Sequence, residues 1–525
     1  MFVFLSAAHT WPLASNPAHL SRNDNADAVL NTWAMAWVAH QLPRDPLHLF
    51  DANIFYPEPY TLAYSEAMLV QSFMAMPILA LGGAPVLAHS LVLLAGFALT
   101  GWAFCLLLHR WTGSWTAAYA GGSLAAFNSH ALVRLAHIQT LHVEFIALML
   151  FAFDRLVTSR RVRDAVWLGV GFALQGLTSM YLLVFSVWML LFVTLGRATE
   201  WLRVRPVRFV GLLAVAGGTA SIILAPYITP YVALNRLTGF ERTVADGSFG
   251  AGSWVDYLAT GSQVHYRLWS QRFFNTAVSA TFPGVLMLLF VGLALTWPDT
   301  RRDARVRMCL IAAVGCAVAS WLPGTEIYPW LHATIPLFRV IRIYSRLGQI
   351  VLMLLAVVAA FGVAGLAQQW GRSRWWPAAA VTLVVLVNAE SFRPPLSYRP
   401  FDRIPDVYDV LIDKPGSVAA FPFFPPGSWH LNARYMLDST RHWRPLLNGY
   451  SGFRPGSYND TYVALQSFPD LPALAALHER GVTHVIVIRD QFTSQGGPER
   501  FAAIERSPAL DLVESSGEIF IYQLK

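Results

Sequence analysis

Two aspartates, Asp24 and Asp27, sit in the stretch NDNADAVLNTWAMAW (Asn23 to Trp37), at the head of a run with helical period. A carboxylate placed there has two uses. It can cap the helix by accepting backbone N–H groups, or it can take a proton from a hydroxyl about to attack. Asp27 opens the run and is the first choice for the second use, whereas Asp24 reads more simply as a solvated loop residue. Asp51 and Glu58, in LFDANIFYPE, are further acids of the same region, and Asp51 is equally suited to an Asx-turn.

A second set of residues is cationic. Arg339, Arg342 and Arg346 in PLFRVIRIYSRLG are spaced three and four apart, so on a helix they share one face. Guanidinium groups pair bidentately with phosphate, which makes this a candidate anion site. Snorkelling to an interface is the plain alternative. Arg134, His137 and Gln139 in LVRLAHIQ either anchor a helix end or face a cleft. Glu144, a turn inside an apolar run, is costly there and is either functional or paired with Arg134 or another buried Arg. Asp154 is expected to pair with local Arg.

The elements that must position these groups are mostly membrane helices. Of 525 residues, 55% are hydrophobic and 13% charged, with a mean hydropathy of +0.44; soluble domains carry about 25% charged residues. The net charge of +7 is spread in short Arg clusters between apolar spans, which argues against a nucleic-acid partner and for membrane loops. Cys105, Cys309 and Cys316 all lie in apolar spans and form neither a disulfide framework nor a zinc pattern.

Met1 to Ala14 reads as the outer half of a first membrane helix. Residues 15–84 form a first outward loop, with a helix over 27–41 and a short apolar helix over 67–81 lying in the interface. The Trp-bearing first helix is expected to be interfacial too. Spans are expected at 85–108, 114–131, 141–157, 164–180, 181–196, 207–226, 281–297, 306–322, 347–368 and 376–390. Arg clusters mark every second loop as cytoplasmic, which puts 15–84, 132–140, 227–280, 323–346 and the C-terminal segment outside, provided 67–81 does not cross. From 396 the chain becomes polar and Pro-rich. Strands are expected at Gly416 to Phe424, Val482 to Ile488 and Glu518 to Leu524, with a helix at Leu471 to Arg480. The expected fold is thus mainly α: a polytopic transmembrane helical bundle over 85–390 (about 10–11 spans, the first truncated at 1–14), with a small C-terminal α/β extracytoplasmic domain over 396–525.

Several short motifs then fall into a familiar order. They are D-x-x-x-N-T-W from Asp27, LFDANIFYP, HRWTG (His109 to Gly113), H-x-Q from His137, P-x-F-R-x-x-R from Pro336, and HWRPLLNGYSGF (His442 to Phe453). Together they resemble the C-type (GT-C) polytopic membrane glycosyltransferases, in an uncharacterised bacterial branch. The resemblance implies an enzyme of the bacterial cytoplasmic (inner) membrane. It would transfer a sugar from a polyprenyl-phosphate-type lipid donor to an acceptor on the outer face. Asp27 takes the position of the catalytic acid, with Asp24, Asp51 and Glu58 as second acids. Arg339, Arg342 and Arg346 would meet the donor phosphate, with Arg134, His137 and Gln139 in the cleft between the first outward loop and the arginine loop. His442, Trp443 and Arg444 would bind sugar or pack. No cofactor is certain, and a divalent metal is left open because no second acid adjoins Asp27. The competing readings are a transporter or flippase for lipid-linked glycans, which predicts repeats and a central ionisable pathway, and a non-catalytic relative. The sequence has no repeat, and its polar residues gather on one face.

Overall fold

The computed structural model describes residues 1–22, 24–203, 205–239 and 241–525; Asn23 lies outside the described residues. The chain forms two compact units, one of residues 1–16, 90–229 and 235–397, the other of residues 17–89, 230–234 and 398–525.

The first unit is helical because its sequence is a series of long apolar runs closed by polar caps. Ser114 accepts the Ala117 N–H at 3.3 Å to start helix Trp115–Ala126, and Asp303 accepts the Arg305 N–H at 2.7 Å to start helix Ala304–Trp321. Helix Pro206–Thr238 opens on proline and closes on Gly239 at φ 61°. Each expected span carries a helix. Among the described residues, four helical stretches are long and apolar enough to cross a membrane, at Pro85–Thr112, Pro206–Thr238, Ala304–Gly324 and Tyr344–Trp370. This is a membrane protein.

Helix Gly348–Trp370 is the core of the bundle, packed by helices Trp115–Ala126, Val285–Thr296 and Ala304–Trp321. A Cβ at Gly362 would stand 2.0 Å from the Phe290 carbonyl oxygen. Gly362→Ala therefore drives two backbones apart. It is expected to cost about 1–3 kcal/mol, read as a lower melting midpoint of the full chain in detergent.

The Arg-rich helix ends are joined by ion pairs. Asp154 accepts Arg197 Nη1 at 2.7 Å and Arg305 Nε at 3.2 Å, and Glu200 accepts Arg307 Nη2 at 3.1 Å. Asp154 pairs with arginine as expected, but its partners come from distant segments and not from the Arg cluster next to it in sequence. Glu144 differs from expectation. Its partner is the fully buried His142, at 3.1 Å from Nδ1, and not an arginine. The other ring nitrogen of His142 lies 3.1 Å from the Val92 carbonyl, so the pair ties two helices together.

The second unit joins segments far apart in sequence. Its main sheet has the order β3-β4-β6-β5, from Ser417–Phe421, Val482–Ile488, Ile519–Leu524 and Leu510–Ser516, with β3 and β4 parallel and the other pairs antiparallel. β3 and β4 are almost continuously buried, as their apolar runs require. A short antiparallel clip, β1 (Leu20–Ser21) with β2 (Arg399–Pro400), fastens the early segment. β5 and the clip were not expected from the sequence.

Helix Ala26–Gln41 is a core helix and not an interfacial one: residues 28–38 are all buried. Trp33 donates Nε1–H to Asn53 Oδ1 at 3.2 Å, and Trp37 donates to the Leu49 carbonyl at 2.8 Å. Asn53 in turn donates to Ser439 Oγ at 3.1 Å and the Arg444 carbonyl at 3.2 Å. Backbone hydrogen bonds join LFDANIFYP to PLLNGY: Tyr56 N–H to Leu446 O at 3.0 Å, and Leu446 N–H to Asn53 O at 2.9 Å. Helix Leu69–Ala80 has 12 residues, about 18 Å, too short to cross a bilayer core of about 30 Å.

His442, Trp443 and Arg444 pack. Arg444 donates to the Gly416 carbonyl (3.2 Å from Nε) and to Thr483 Oγ1 (2.6 Å from Nη2), and its Nη1 lies 3.0 Å from His484 Nδ1. Burial holds His442 at about 3, and burial with the Arg444 guanidinium holds His484 at about 4, both below the ordinary 6.5. Below pH 6.5 the unfolded chain takes up protons that the fold refuses. The stabilisation is complete above that pH and drains away as the pH falls towards 4, by about 1.4 kcal/mol per pH unit for each ring. Hydrogen exchange at β3 and β4 in the full chain, corrected for intrinsic rates, is expected to accelerate across that window.

Candidate active site

Within the second unit, the capping role is taken by Asn25 and not by Asp27. Asn25 Oδ1 accepts the N–H groups of Asp27 at 3.0 Å and Ala28 at 3.4 Å. Asp27 is therefore left in the first turn, where the helix dipole favours a carboxylate, with its side chain directed elsewhere. It is half-buried, and its Oδ1 accepts the Tyr450 hydroxyl at 2.7 Å. Tyr450 stands edge-on to Trp429 at 5.1 Å, and the Arg454 guanidinium lies 5.5 Å from the Trp429 ring.

The other three acids do not join Asp27. Asp24 pairs with Arg22 at 3.1 Å on the surface. Asp51 closes its loop by accepting the Tyr60 N–H at 2.9 Å, and Glu58 accepts the Ser457 hydroxyl. Among the described residues no group of three His, Cys, Asp or Glu side chains could hold a metal ion.

Within the first unit, the arginine loop is not one helix. Two 3-10 turns, Pro336–Arg339 and Tyr344–Leu347, are separated by a bend, so the three guanidinium groups do not share a face. Arg339 folds back onto the carbonyls of His332, at 2.7 Å, and Ala333. Arg342 is exposed, within electrostatic range of Asp246. Arg346 turns inward and lies 5.1 Å from the Tyr181 ring.

Arg346 and the LVRLAHIQ segment share one buried neighbour. Arg134, Arg346 and His137 all act electrostatically on His130, which is fully buried. Among the described residues neither ring nitrogen of His130 has a hydrogen-bond partner. Arg134 is steadied by the Val278 carbonyl at 2.9 Å. Gln139 is buried next to Thr140, whose carbonyl accepts Gln349 Nε2 at 2.7 Å. Asp256, within electrostatic range of Arg134, is occupied by the N–H groups of Ser253 at 2.8 Å and Ser279 at 2.9 Å, and burial raises its carboxyl above the usual range. Two guanidinium groups around an unsatisfied imidazole suit an anion.

Sequence reasoning missed Tyr450, Asn25 and His130. Asn25 carried a signal as a good capping residue just before the helical run, and His130 carried one as an ionisable residue in an apolar run, four residues before Arg134.

Neither a protein-family model nor a curated protein sequence matches the chain. Solved structures do match in fold. The cryo-EM structure of arabinofuranosyltransferase AftD from Mycobacteria aligns with TM-score 0.61 at 15% identity, over 99% of this chain and 39% of that one. A mutant of AftD aligns with TM-score 0.58 at 14% identity, over 99% and 40%. ArnT from Cupriavidus metallidurans, in the apo state, aligns with TM-score 0.48 at 13% identity, over 99% and 96%. The chain thus spans about two-fifths of the length of AftD.

Proposed function

We propose that this chain, which has the fold of the C-type glycosyltransferases, transfers a sugar from a polyprenyl-phosphate-type lipid to an acceptor on the outer face of the cytoplasmic membrane. The observation that carries the reading is the Asp27 carboxylate: relieved of capping by Asn25, half-buried, and held by the Tyr450 hydroxyl at 2.7 Å. Asp27 takes the proton of the acceptor hydroxyl as its oxygen attacks the anomeric carbon. The bond from that carbon to the phosphate oxygen breaks, and the phosphate leaves with the electron pair. Positive charge must receive it. Arg339, spent on backbone carbonyls, and Arg342, exposed, fit this role less well than Arg346.

The test is a panel of radiolabelled polyprenyl-phosphate sugars given to the purified full chain, with release of the unglycosylated lipid phosphate as readout. Movement of an intact lipid-linked glycan across liposomes, without cleavage, would assign transport instead. Tyr450 is a positioning residue in this scheme. Its hydrogen bond favours the charged form of Asp27, so Tyr450→Phe is expected to lower kcat about tenfold and to move the acidic limb of the pH–rate profile to higher pH. A purely structural tyrosine would leave that limb in place.

A further inference from the structure

The second unit contains a groove of about 910 Å³ that the scheme above does not use. It lies at the far end of helix Ala26–Gln41, by His40, and Asp27 is about 20 Å away along the helix axis. One wall is apolar: Ala36 and Ala39 from that helix, Met76 and Leu79 from helix Leu69–Ala80, and Ile404. The rim is cationic, with Arg44, Arg403 and Arg441, and among the described residues no carboxylate lines it. Asp406 and Asp409 both pair with Arg441, and Asp406 lies 3.5 Å from Arg403. Three positive groups against these two acids leave net positive charge, and Arg44 touches neither of them. It donates Nη1 to the His40 carbonyl at 2.7 Å.

Two further observations point to a lipid. Helix Leu69–Ala80 has no charged residue, yet its Phe73 is 54% exposed and the following Leu81 89%. That surface matches hydrocarbon and not water. At the rim, Trp443 stacks on His40 at 4.1 Å, with its backbone in the left-handed region at φ 56°. An amphipathic ring at this level is the usual companion of a headgroup.

We infer that this groove holds an anionic bilayer phospholipid, with its phosphate on Arg44 and Arg403 and an acyl chain along the Ala39–Met76–Leu79 wall. The groove is separate from Asp27, and its test reads binding without turnover. Native mass spectrometry of the full chain would compare phosphatidylglycerol, phosphatidylcholine and a polyprenyl phosphate. Phosphatidylglycerol is expected to be retained preferentially. Arg44→Gln combined with Arg403→Gln should lower that preference about 25-fold, at about fivefold per guanidinium. Ala39→Phe, which fills the apolar end and leaves the rim intact, should lower occupancy by both phospholipids. Equal retention of the two phospholipids by the wild type would overturn the proposal. So would an undiminished preference in the arginine variant, or displacement of phosphatidylglycerol by equimolar polyprenyl phosphate.

Discussion

Asp27→Asn is expected to lower sugar transfer by about 10²–10⁴-fold, the range for removing a positioned general base. The substitution is nearly isosteric. The new amide keeps an oxygen for the Tyr450 hydroxyl, and the helix keeps its cap because Asn25 supplies it. The loss should therefore appear in kcat, with stability lowered by no more than the lost helix-dipole interaction, about 0.3–1 kcal/mol. Asn25→Ala is the complementary control. It removes the cap, at about 1 kcal/mol, without removing the base. Asp24→Asn and Asp51→Asn should leave the chemistry intact, since those acids serve Arg22 and the Tyr60 backbone. Full activity in the Asp27 variant would sink the assignment of Asp27 as base.

The largest effect on stability is expected at Arg197, whose side chain is 2% exposed and pairs with Asp154, itself 7% exposed, and with Glu200. Arg197→Met leaves Asp154 buried with only Arg305, at 3.2 Å, to answer it. Breaking such a buried pair on one side costs about 3–5 kcal/mol, because the orphaned charge has already lost its water. The full chain in detergent should melt markedly earlier. Replacing both partners, Arg197→Met with Asp154→Leu, should recover most of the loss, since no buried charge is then stranded by that pair. A single variant as stable as the wild type would show that Arg305 alone balances Asp154.

The membrane helices and the strands at 482–488 and 519–524 were legible because apolar length and period are local properties of the sequence. What failed was long-range. Trp33 and Trp37 suggested an interface, where tryptophan is indeed enriched, but their burial depends on Asn53 and on the segment around 439–446. No periodicity in residues 26–41 reports those partners. Asn25 and Asp27 are both good capping residues, and only the backbone geometry decided between them. The three and four spacing of Arg339, Arg342 and Arg346 presumes a helix, which the bend between two 3-10 turns removes. The contact between Asp27 and Tyr450, more than four hundred residues apart in sequence, could not be read from either end.

The discontinuous make-up of the second unit also sets a timetable for biogenesis. Residues 17–89 are synthesised roughly 300 residues before residue 398 emerges. At about 5–20 residues per second, that is about 15–60 s during which Trp33, Trp37 and Phe55 have none of the C-terminal partners that later cover them. For that interval the early segment is an aggregation-prone apolar surface, and a nascent chain stalled before residue 398 leaves it so permanently.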